Sequence, residues 1–353
     1  MTLSDPSAAP ISAPTTFAQL TTLRVGGPVT ELVVADDEAT LLSALDPADD
    51  DSPPALVVAG GSNLVVGDSG YPGRVVLVRT SGIQVEADSC GGAWLTVAAG
   101  ESWDQVVALA VGSGWLGIEA LSGIPGSVGA TPIQNVGAYG QQVSDVIARV
   151  RTWDREAQVQ RTFTADECGF GYRTSRFKAE PDRYAILEVT FQLRPSSISD
   201  PISYAEITGQ LAVGPLSRVP IADVRAAVLE LRGRKGMVLD QADHDTWSAG
   251  SFFTNPLLDS LAAQGLPADA PRYPADDGKT KTSAAWLIEH AGFARGYGTG
   301  LAQLSSKHSL AITNRGGATT SEIVALAREI RDGVQMRFGI TLDPEPMLVN
   351  CSL

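Results

Sequence analysis

A glycine-rich tract at residues 121–140, LSGIPGSVGATPIQNVGAYG, constrains the fold more than any other feature of the chain. From residue 123 onward it holds five glycines and two prolines in eighteen residues, and none of these residues is charged. Such a chain lets its backbone approach something flat or closely packed. Gln134 and Asn135 can present amide donors and acceptors to a heterocycle. A buried irregular loop and a cofactor-binding loop both fit the pattern, and a cofactor would satisfy buried backbone groups that need partners.

A second glycine-containing stretch, VVAGGSNLVVGD at 57–68, is the better candidate for binding phosphate. Gly60 and Gly61 follow a buried strand, where backbone N–H groups can converge into an anion-binding nest. Ser62 and Asn63 add side-chain donors. No helix follows, because LVV continues as extended chain, so the stretch is not a Walker loop. On these residues alone, an anion nest and an ordinary tight turn are equally good interpretations.

The glycines of VGSGWLG match the spacing of a dinucleotide-binding fingerprint, but their context argues against it. That fingerprint carries meaning only after a strand and before a helix. Gly112, Gly114 and Gly117 instead follow a predicted helix, so we expect them to end it. GYGTG at 296–300 lies between a helix and a strand and is weaker still.

Helical and extended segments alternate along the chain. A strand at 30–36, a helix at 37–45 and a buried strand at 55–61 predict a right-handed parallel unit. Further strands are predicted at 74–80, 94–100, 149–154 and 184–194, and further helices at 102–111, 221–236, 281–292 and 319–339. Capping boxes are expected at the start of two helices, at Ser102 with Gln105 and at Thr319 with Glu322. Pro195, Pro201, Pro215 and Pro220 mark a domain boundary.

Composition and charge exclude several classes of protein. The net charge is −14 and the pI about 4.6, which argues against binding nucleic acid or anionic membrane in bulk, although one local basic pocket remains compatible. Cys90, Cys168 and Cys351 are far apart and never form C-x-x-C, so we expect reduced thiols in a cytoplasmic protein. Residues 1–14 resemble a flexible tail rather than a signal peptide. No segment is long and apolar enough to insert into a membrane.

Five motifs together resemble one known family. AGGSN, IPGSVGATPIQNVGAYG, FGYRTSRFK, AGSFFTNP and LDPEPML occur in this order from about residue 15 to 350. They resemble the UDP-N-acetylenolpyruvoylglucosamine reductases (UDP-N-acetylmuramate dehydrogenases) of bacterial peptidoglycan synthesis. ISYAEI at 202–207 is similar to the tyrosine-bearing loop of the longer subclass of that family. Residues 237–247 form a slightly longer segment than in the relatives considered, and Thr254 stands where some of them carry lysine.

The resemblance implies an α+β fold. It has a two-lobed FAD-binding region of the vanillyl-alcohol-oxidase/p-cresol-methylhydroxylase type, followed by a C-terminal α+β substrate-binding domain. We expect the tail at 1–14, lobe 1 at 15–85 together with 337–353, lobe 2 at 86–220, and the substrate domain at 221–336. We also expect a monomer with a small-molecule UDP-sugar substrate and no nucleic-acid partner.

The resemblance implies non-covalent FAD as cofactor and NADPH as co-substrate. The FAD diphosphate would lie on the 60–64 stretch and the isoalloxazine ring against the glycine-rich tract. The residues expected to bind FAD are Gly60, Gly61, Ser62, Asn63, Leu64, Ser122, Gly123, Ile124, Gly126, Gly129, Ala130, Gln134, Asn135, Gly137 and Ala138. No separate dinucleotide domain is visible, so NADPH and the sugar nucleotide would use one pocket in turn.

The motifs also imply three catalytic residues. Arg173 lies in the Y-R-x-S element, Ser251 in the G-S-F-F element that supplies the proton, and Glu345 in the terminal P-E element. Hydride transfer to the enol ether leaves negative charge α to its carboxylate, and this strong base can take a proton from a serine hydroxyl. Arg173 would stabilise that enolate, and Glu345 would support it or polarise the hydroxyl. The residues expected to bind substrate are Tyr172, Tyr204, Lys235, Asn255 and His308, the last standing where some relatives carry glutamine.

Two other function classes remain open at this point. The first is a flavin-linked alcohol oxidase of the same FAD-binding superfamily, and the second is a non-catalytic nucleotide-binding module. An oxidase with covalently bound flavin would carry a histidine or cysteine near the cofactor. Neither glycine-containing stretch has a histidine. Each proposed catalytic residue also has a purely structural alternative: Ser251 in a loop, Glu345 in a rigid turn, and Arg173 on the surface.

Overall fold

The computed structural model describes residues 15–46, 52–88, 92–275 and 278–353. The tail predicted at 1–14 and Cys90 lie outside these ranges. Of the cysteines within them, Cys168 is buried and Cys351 half-buried, and both are free thiols, as expected. Burial raises the pKa of the Cys168 thiol to about 12, so it is not a reactive thiolate at neutral pH. No helix in the described ranges is long and apolar enough to cross a membrane.

The described residues form two compact units. The first contains those within 30–60 and 72–234, and the second contains those within 15–29, 61–71 and 235–353. The chain crosses from one unit to the other at 29–30, at Gly60–Gly61 inside the predicted phosphate stretch, at 71–72 and at 234–235. The division into two lobes and a substrate domain stays a prediction.

Strands and helices alternate through both units. The strands are β1 (Val29–Ala35), β2 (Leu56–Val58), β3 (Leu64–Val66), β4 (Tyr71–Val78), β5 (Ile83–Asp88), β6 (Gly92–Ala98), β7 (Trp115–Leu116), β8 (Gly137–Ala138), β9 (Gln141–Gln142), β10 (Ile147–Asp154), β11 (Val159–Thr164), β12 (Tyr184–Pro195), β13 (Leu257–Leu258), β14 (Tyr273–Pro274), β15 (Thr280–Lys281), β16 (Ala302–Leu304), β17 (Ile312–Asn314) and β18 (Met347–Val349). The α-helices are α1 (Phe17–Leu20), α2 (Glu38–Leu45), α3 (Trp103–Gly112), α4 (Arg176–Ala179), α5 (Ala205–Gln210), α6 (Ile221–Arg234), α7 (Ser260–Gln264), α8 (Ala284–His290) and α9 (Thr320–Phe338).

The first unit is built on two sheets. The larger runs in the order β11-β10-β12-β6-β5, with antiparallel neighbours, and β7 pairs with the end of β12. The smaller runs in the order β1-β4-β2, and β2 is parallel to β4. Because β4 lies between them, the two strands of the predicted strand–helix–strand unit are not hydrogen-bonded neighbours. Helix α3 covers the core with Trp103, which is fully buried and packs on Phe191.

The second unit is organised around α9. Ile323, Ala327, Ile330 and Val334 recur every three or four residues along this helix and are all buried, as an amphipathic helix requires. They belong to a core that includes α8 and Phe252. The C-terminal strand β18 pairs in parallel with β3, Met347 opposite Leu64.

Local signals predicted most helix boundaries but not every cap. Thr319 accepts a hydrogen bond from the Glu322 N–H, and Glu322 reaches back to the Thr319 N–H, so the predicted capping box forms. At α3 the capping box was a wrong prediction, because the Ser102 side chain makes no capping hydrogen bond. Helix α3 ends at Gly112, as predicted for the glycines of VGSGWLG, which were expected to end a helix.

Asp68 provides a test of how α9 is anchored. Its carboxylate accepts hydrogen bonds from the Thr320 N–H at 2.7 Å and from the Ser321 N–H at 2.9 Å and Oγ at 2.6 Å. Burial alone would raise the pKa of Asp68, but the hydrogen bonds from Ser321 and Thr320 outweigh it and hold the pKa below its ordinary value.

We therefore expect Asp68→Ala to lower the free energy of unfolding by about 1 kcal/mol at neutral pH. Since the folded pKa is depressed, this contribution is present above the unfolded pKa of about 3.9 and disappears as the pH falls through the folded value. Urea unfolding at pH 7 and at pH 3 measures both effects. Asp332→Ala is the control, because that exposed carboxylate pairs with its neighbour Arg331 on the same helix. Equal stability of the two variants at pH 7 would contradict the anchoring role.

Candidate active site

The glycine-rich tract packs against the end of β2 inside the first unit. A Cβ atom on Gly60 would lie 2.6 Å from Cα of Gly126, so the backbone of Gly126 leaves no room for a side chain at Gly60. The Gly126 carbonyl accepts a hydrogen bond from the Trp103 N–H, and the Gly129 N–H donates to the Ala99 carbonyl. The small residues of the tract therefore serve close backbone packing, as the sequence indicated. Ser122 is fully buried and donates its Oγ–H to the Glu119 carbonyl at 2.6 Å.

Arg173 is fastened to this tract. Its Nη2 donates to the Gly137 carbonyl at 2.8 Å, and its guanidinium carbon lies 5.7 Å from the Tyr172 ring centroid. The Asn135 side chain donates to the Gly171 carbonyl at 3.1 Å, and Ser175 Oγ donates to Ile133 O at 2.5 Å. Two hydrogen bonds from the Y-R-T-S element and one to Gly171, the residue before it, thus join the FGYRTSRFK motif to the tract. The structure brings the predicted catalytic arginine and the predicted flavin-binding residues together, and a purely surface role for Arg173 does not account for this.

Asp104 and Arg225 support the glycine-rich tract, and this role was not predicted for either residue from the sequence. Asp104 Oδ1 accepts from the Gly123 N–H at 2.6 Å, and Arg225 binds the carboxylate through both η-nitrogens at 2.7 and 2.8 Å. Burial pushes the pKa of Asp104 upward, but the hydrogen bonds from Arg225 and Gly123 lower it overall, so the carboxylate stays charged. An acidic residue in the first turn of α3 is the ordinary pattern for helix starts, so nothing in the sequence marked Asp104 as unusual.

Tyr204 contacts another tyrosine of the first unit. Its ring meets the Tyr139 ring edge to face at a centroid distance of 5.4 Å, while 44% of Tyr204 is exposed. Burial raises the pKa of Tyr139, which keeps its hydroxyl protonated at neutral pH. The predicted lid tyrosine is thus accessible and rests on the last turn of the glycine-rich tract.

In the second unit, the backbone of Glu345 pairs with that of Phe252, the residue that follows Ser251. The Glu345 N–H donates to the Phe252 carbonyl at 2.9 Å, the Thr254 N–H donates to Asp343 O at 3.0 Å, and Phe253 and Pro344 form an antiparallel bridge between these bonds. Ser251 itself is half-buried and follows Gly250, whose φ of +74° suits glycine. Two motifs separated by about ninety residues therefore meet.

The same pairing includes Asn63 from the predicted phosphate stretch. Its side-chain nitrogen donates to the Glu345 carbonyl at 3.3 Å, and its own carbonyl accepts from the Met347 N–H at 3.0 Å. Gly61 has φ +57°, a left-handed conformation found in anion nests, and its carbonyl accepts from the Thr22 N–H. Leu64 then starts the buried strand β3. The left-handed conformation of Gly61 is one that anion nests use, and diphosphate binding by this stretch stays a prediction.

The remaining predicted substrate residues of the second unit lie in separate turns. Lys235 directly follows α6 and is half-buried. Asn255 accepts the Ala284 N–H at 2.9 Å through Oδ1 and so caps α8. His308 lies in a turn where its N–H donates to Ser305 Oγ at 3.2 Å. The structure assigns Asn255 a helix-capping role, which is compatible with presenting its NH₂ group to a ligand.

Comparison with known proteins agrees with this geometry. The family model for the C-terminal domain of UDP-N-acetylenolpyruvoylglucosamine reductase matches residues 241–349, and the model for an FAD binding domain matches residues 30–162. The chain is 55% identical over 340 residues to UDP-N-acetylenolpyruvoylglucosamine reductase of Cutibacterium acnes, covering 96% of this chain and 90% of that protein. It is 51% identical over 348 residues to the enzyme of that name from Streptomyces avermitilis, covering 96% and 94%.

The chain belongs to the UDP-N-acetylenolpyruvoylglucosamine reductase family. The crystal structure of the Thermus caldophilus reductase superposes with a TM-score of 0.65 at 25% identity, covering 95% of this chain and 97% of that one. The resemblance seen in the five motifs is confirmed, and so is the expected fold class of an FAD-binding region with a C-terminal substrate domain. The role of each named residue stays a prediction.

The Gly60–Gly126 contact predicts that Gly60→Ala destabilises the protein. The added methyl group meets backbone rather than a movable side chain, and overpacking of this kind costs about 1–3 kcal/mol. Gly233→Ala is the matched control, because Gly233 lies in α6 and a Cβ there has no atom within 4 Å. We expect that control to be neutral or slightly stabilising, since alanine favours helices. Thermal unfolding compares the two, and an unchanged melting temperature for Gly60→Ala would contradict the close packing.

Proposed function

We propose that Arg173, Ser251 and Glu345 carry out the reduction of the enolpyruvyl ether of UDP-N-acetylglucosamine to UDP-N-acetylmuramate. Family membership makes the chain an FAD-dependent oxidoreductase that acts on this UDP-sugar in peptidoglycan synthesis, with NADPH as reductant. The pairing of residues 252–254 with 343–345 is the observation that supports the assignment best. It joins the backbone of Glu345 to that of Phe252, the residue after Ser251, although the two motifs lie about ninety residues apart in the chain.

FAD, when bound, would supply the hydride chemistry that links NADPH to the enol ether. The chain's own residues would then stabilise the developing negative charge and supply one proton. Hydride addition at one carbon of the double bond places negative charge on the next carbon, in conjugation with the carboxylate. Ser251 gives its hydroxyl proton to that carbon, and Glu345 polarises the hydroxyl and returns a proton to it. A positioned general acid of this kind contributes about 10²–10⁴-fold in rate.

Arg173 is the cation that binds the carboxylate as its charge grows. Its guanidinium is permanently charged, and its hydrogen bond to Gly137 O fixes its direction before substrate arrives. Fixing a donor in advance is what makes electrostatic stabilisation effective, because no reorganisation is needed during the reaction. The Asp104–Arg225 pair contributes indirectly by holding Gly123.

The FAD contacts assigned to the 60–64 stretch and the glycine-rich tract are part of the proposal. The nest-like conformation at Gly61 and the small residues around Gly126 support it. The alternative of a flavin-linked alcohol oxidase is not favoured by the family to which the chain belongs.

We further propose that the protein is a cytoplasmic monomer with no nucleic-acid partner. Sedimentation of the purified protein with and without DNA would test the monomeric state and the absence of a nucleic-acid partner.

Ser251→Ala tests the proton donor. We expect the variant to bind FAD and to accept electrons from NADPH at a near-normal rate, because no proton from Ser251 is needed in that half-reaction. Oxidation by the enolpyruvyl substrate should slow by about 10²–10⁴-fold, the range for a lost general acid. Stopped-flow absorbance of the flavin separates the half-reactions. Equal slowing of both would mean that Ser251 shapes the pocket instead.

Lys235→Ala tests the idea of one shared pocket. Both NADPH and the UDP-sugar carry a diphosphate, so losing one cation should raise KM for both, with a smaller effect on kcat, as expected for lost ground-state binding. Steady-state kinetics with each ligand varied in turn give the two values. Lys279→Ala, which removes a lysine from elsewhere in the second unit, is the charge-matched control. A change in KM for only one ligand would refute the shared pocket or the assignment of Lys235.

A further inference from the structure

The 237–247 loop, which joins Lys235 to the Ser251 motif, is tied by its acidic residues to a second stretch of chain. Asp243 forms an ion pair with Lys307, and Asp245 forms one with Arg315 at 2.7 Å. His244, between them, shares a hydrogen bond of 2.8 Å with the Arg315 carbonyl through Nδ1. Three consecutive residues of the loop therefore contact the segment 305–315, which also carries His308.

Asp245 is the buried member of this group, with 4% of its side chain exposed. Besides Arg315, it accepts the Ser306 N–H at 3.1 Å and the Ser306 Oγ–H. A buried carboxylate with three donors is strongly oriented, because charge-assisted hydrogen bonds are short and directional. Removing its charge breaks the ion pair with Arg315, whose side chain is 32% exposed, and weakens the bonds that hold Ser306.

The backbone of Asp245 also forms the surface on which Gly236 packs. Gly236 has φ +66°, and a Cβ there would lie 3.0 Å from the Asp245 carbonyl oxygen and 3.4 Å from Lys307 Cδ. Gly236 directly follows Lys235, so the position of the lysine backbone depends on where the loop places Asp245 and Lys307.

We propose that Asp245 is a positioning residue for Lys235, fixing the backbone from which the lysine reaches the diphosphate of the UDP-sugar and of NADPH. This rests on the proposed function, in which Lys235 binds that diphosphate. Lysine is a point charge on a flexible stem with no fork geometry of its own, so its direction must come from the backbone that carries it. Asp243 with Lys307 assists at the exposed side of the same loop.

Asp245→Asn keeps the shape of the side chain and removes its charge. We expect KM for NADPH and for the enolpyruvyl substrate to rise by roughly 3- to 30-fold, the range for mutations that act through another residue, with kcat nearly unchanged. Titration calorimetry with UDP, which needs no turnover, should show weaker binding by a similar factor. FAD content, read from flavin absorbance, should stay unchanged. Unaltered KM values and UDP affinity would overturn the proposal.

The double variant Lys235→Ala with Asp245→Asn distinguishes positioning from general loosening of the unit. If Asp245 acts through Lys235, the double variant has the same KM values as Lys235→Ala alone. Once the lysine is absent, Asp245 has no side chain left to position. If the two fold-changes multiply, Asp245 acts by another route and the proposal is wrong.

Two further variants keep the test decisive if Asp245→Asn does not fold. Lys307→Met preserves the stem that lies near Gly236 and breaks only the half-exposed pair with Asp243, so we expect a smaller rise in KM that again vanishes in the Lys235→Ala background. Multiplying effects would overturn the proposal here too. Glu289→Gln breaks the ion pair with Arg295 in the same unit and is the control that should leave KM unchanged.

If the control raises KM as much as Lys307→Met does, the loop has no special role and the proposal fails. Failure of the role proposed for Lys235 has a different signature, since Lys235→Ala would then leave KM for both ligands unchanged. A raised KM for both ligands in Lys235→Ala, combined with an unaffected Asp245→Asn variant, would instead isolate the failure to the positioning role.

Discussion

The second unit depends on the backbone pairing between residues 252–254 and 343–345. Two hydrogen bonds, from Glu345 N–H to Phe252 O and from Thr254 N–H to Asp343 O, join an internal motif to the end of the chain. Phe252 and Phe253 are 1% exposed and pack edge to face, so apolar burial holds the pairing in place. The polar residues on either side can then remain half-exposed. The buried phenylalanines therefore fix the backbone that carries Ser251 and Glu345, the residues proposed to supply the proton.

Much of this arrangement could be predicted from the sequence, for reasons that differ between elements. The hydrophobic periodicity of α9 and its Thr319–Glu322 capping box depend only on residues that are close in sequence. Both could therefore be predicted without knowledge of the tertiary structure. The composition of the glycine-rich tract predicted close packing, because larger side chains would keep neighbouring backbones apart. The pairing of the Ser251 motif with the Glu345 motif could be expected only through family resemblance, since contacts across ninety residues leave no periodic trace in one chain.

What could not be predicted has equally specific causes. Asp104 looked like an ordinary first-turn acid, and its bond to Gly123 depends on tertiary placement of the tract. Ser102 has the residue type and spacing of a cap, yet its side chain does not cap α3. The insertion of β4 between β1 and β2 reflects sheet order, which strand propensity does not encode. The burial of Asp245 was not predicted, because this residue lies in an acidic run, LDQADHDTW, that has the composition of a solvent-exposed loop.

The backbone at Arg173 has a consequence for how this position can evolve. Its φ of +53° lies in the left-handed region, where a non-glycine residue costs on the order of 1 kcal/mol. Replacement by glycine would relieve that strain and remove the guanidinium at the same time. Under the role proposed for Arg173, selection for activity would retain the arginine while selection for stability would favour glycine. A glycine at this position in a homologous chain would then mark the loss of that role together with a gain in backbone stability.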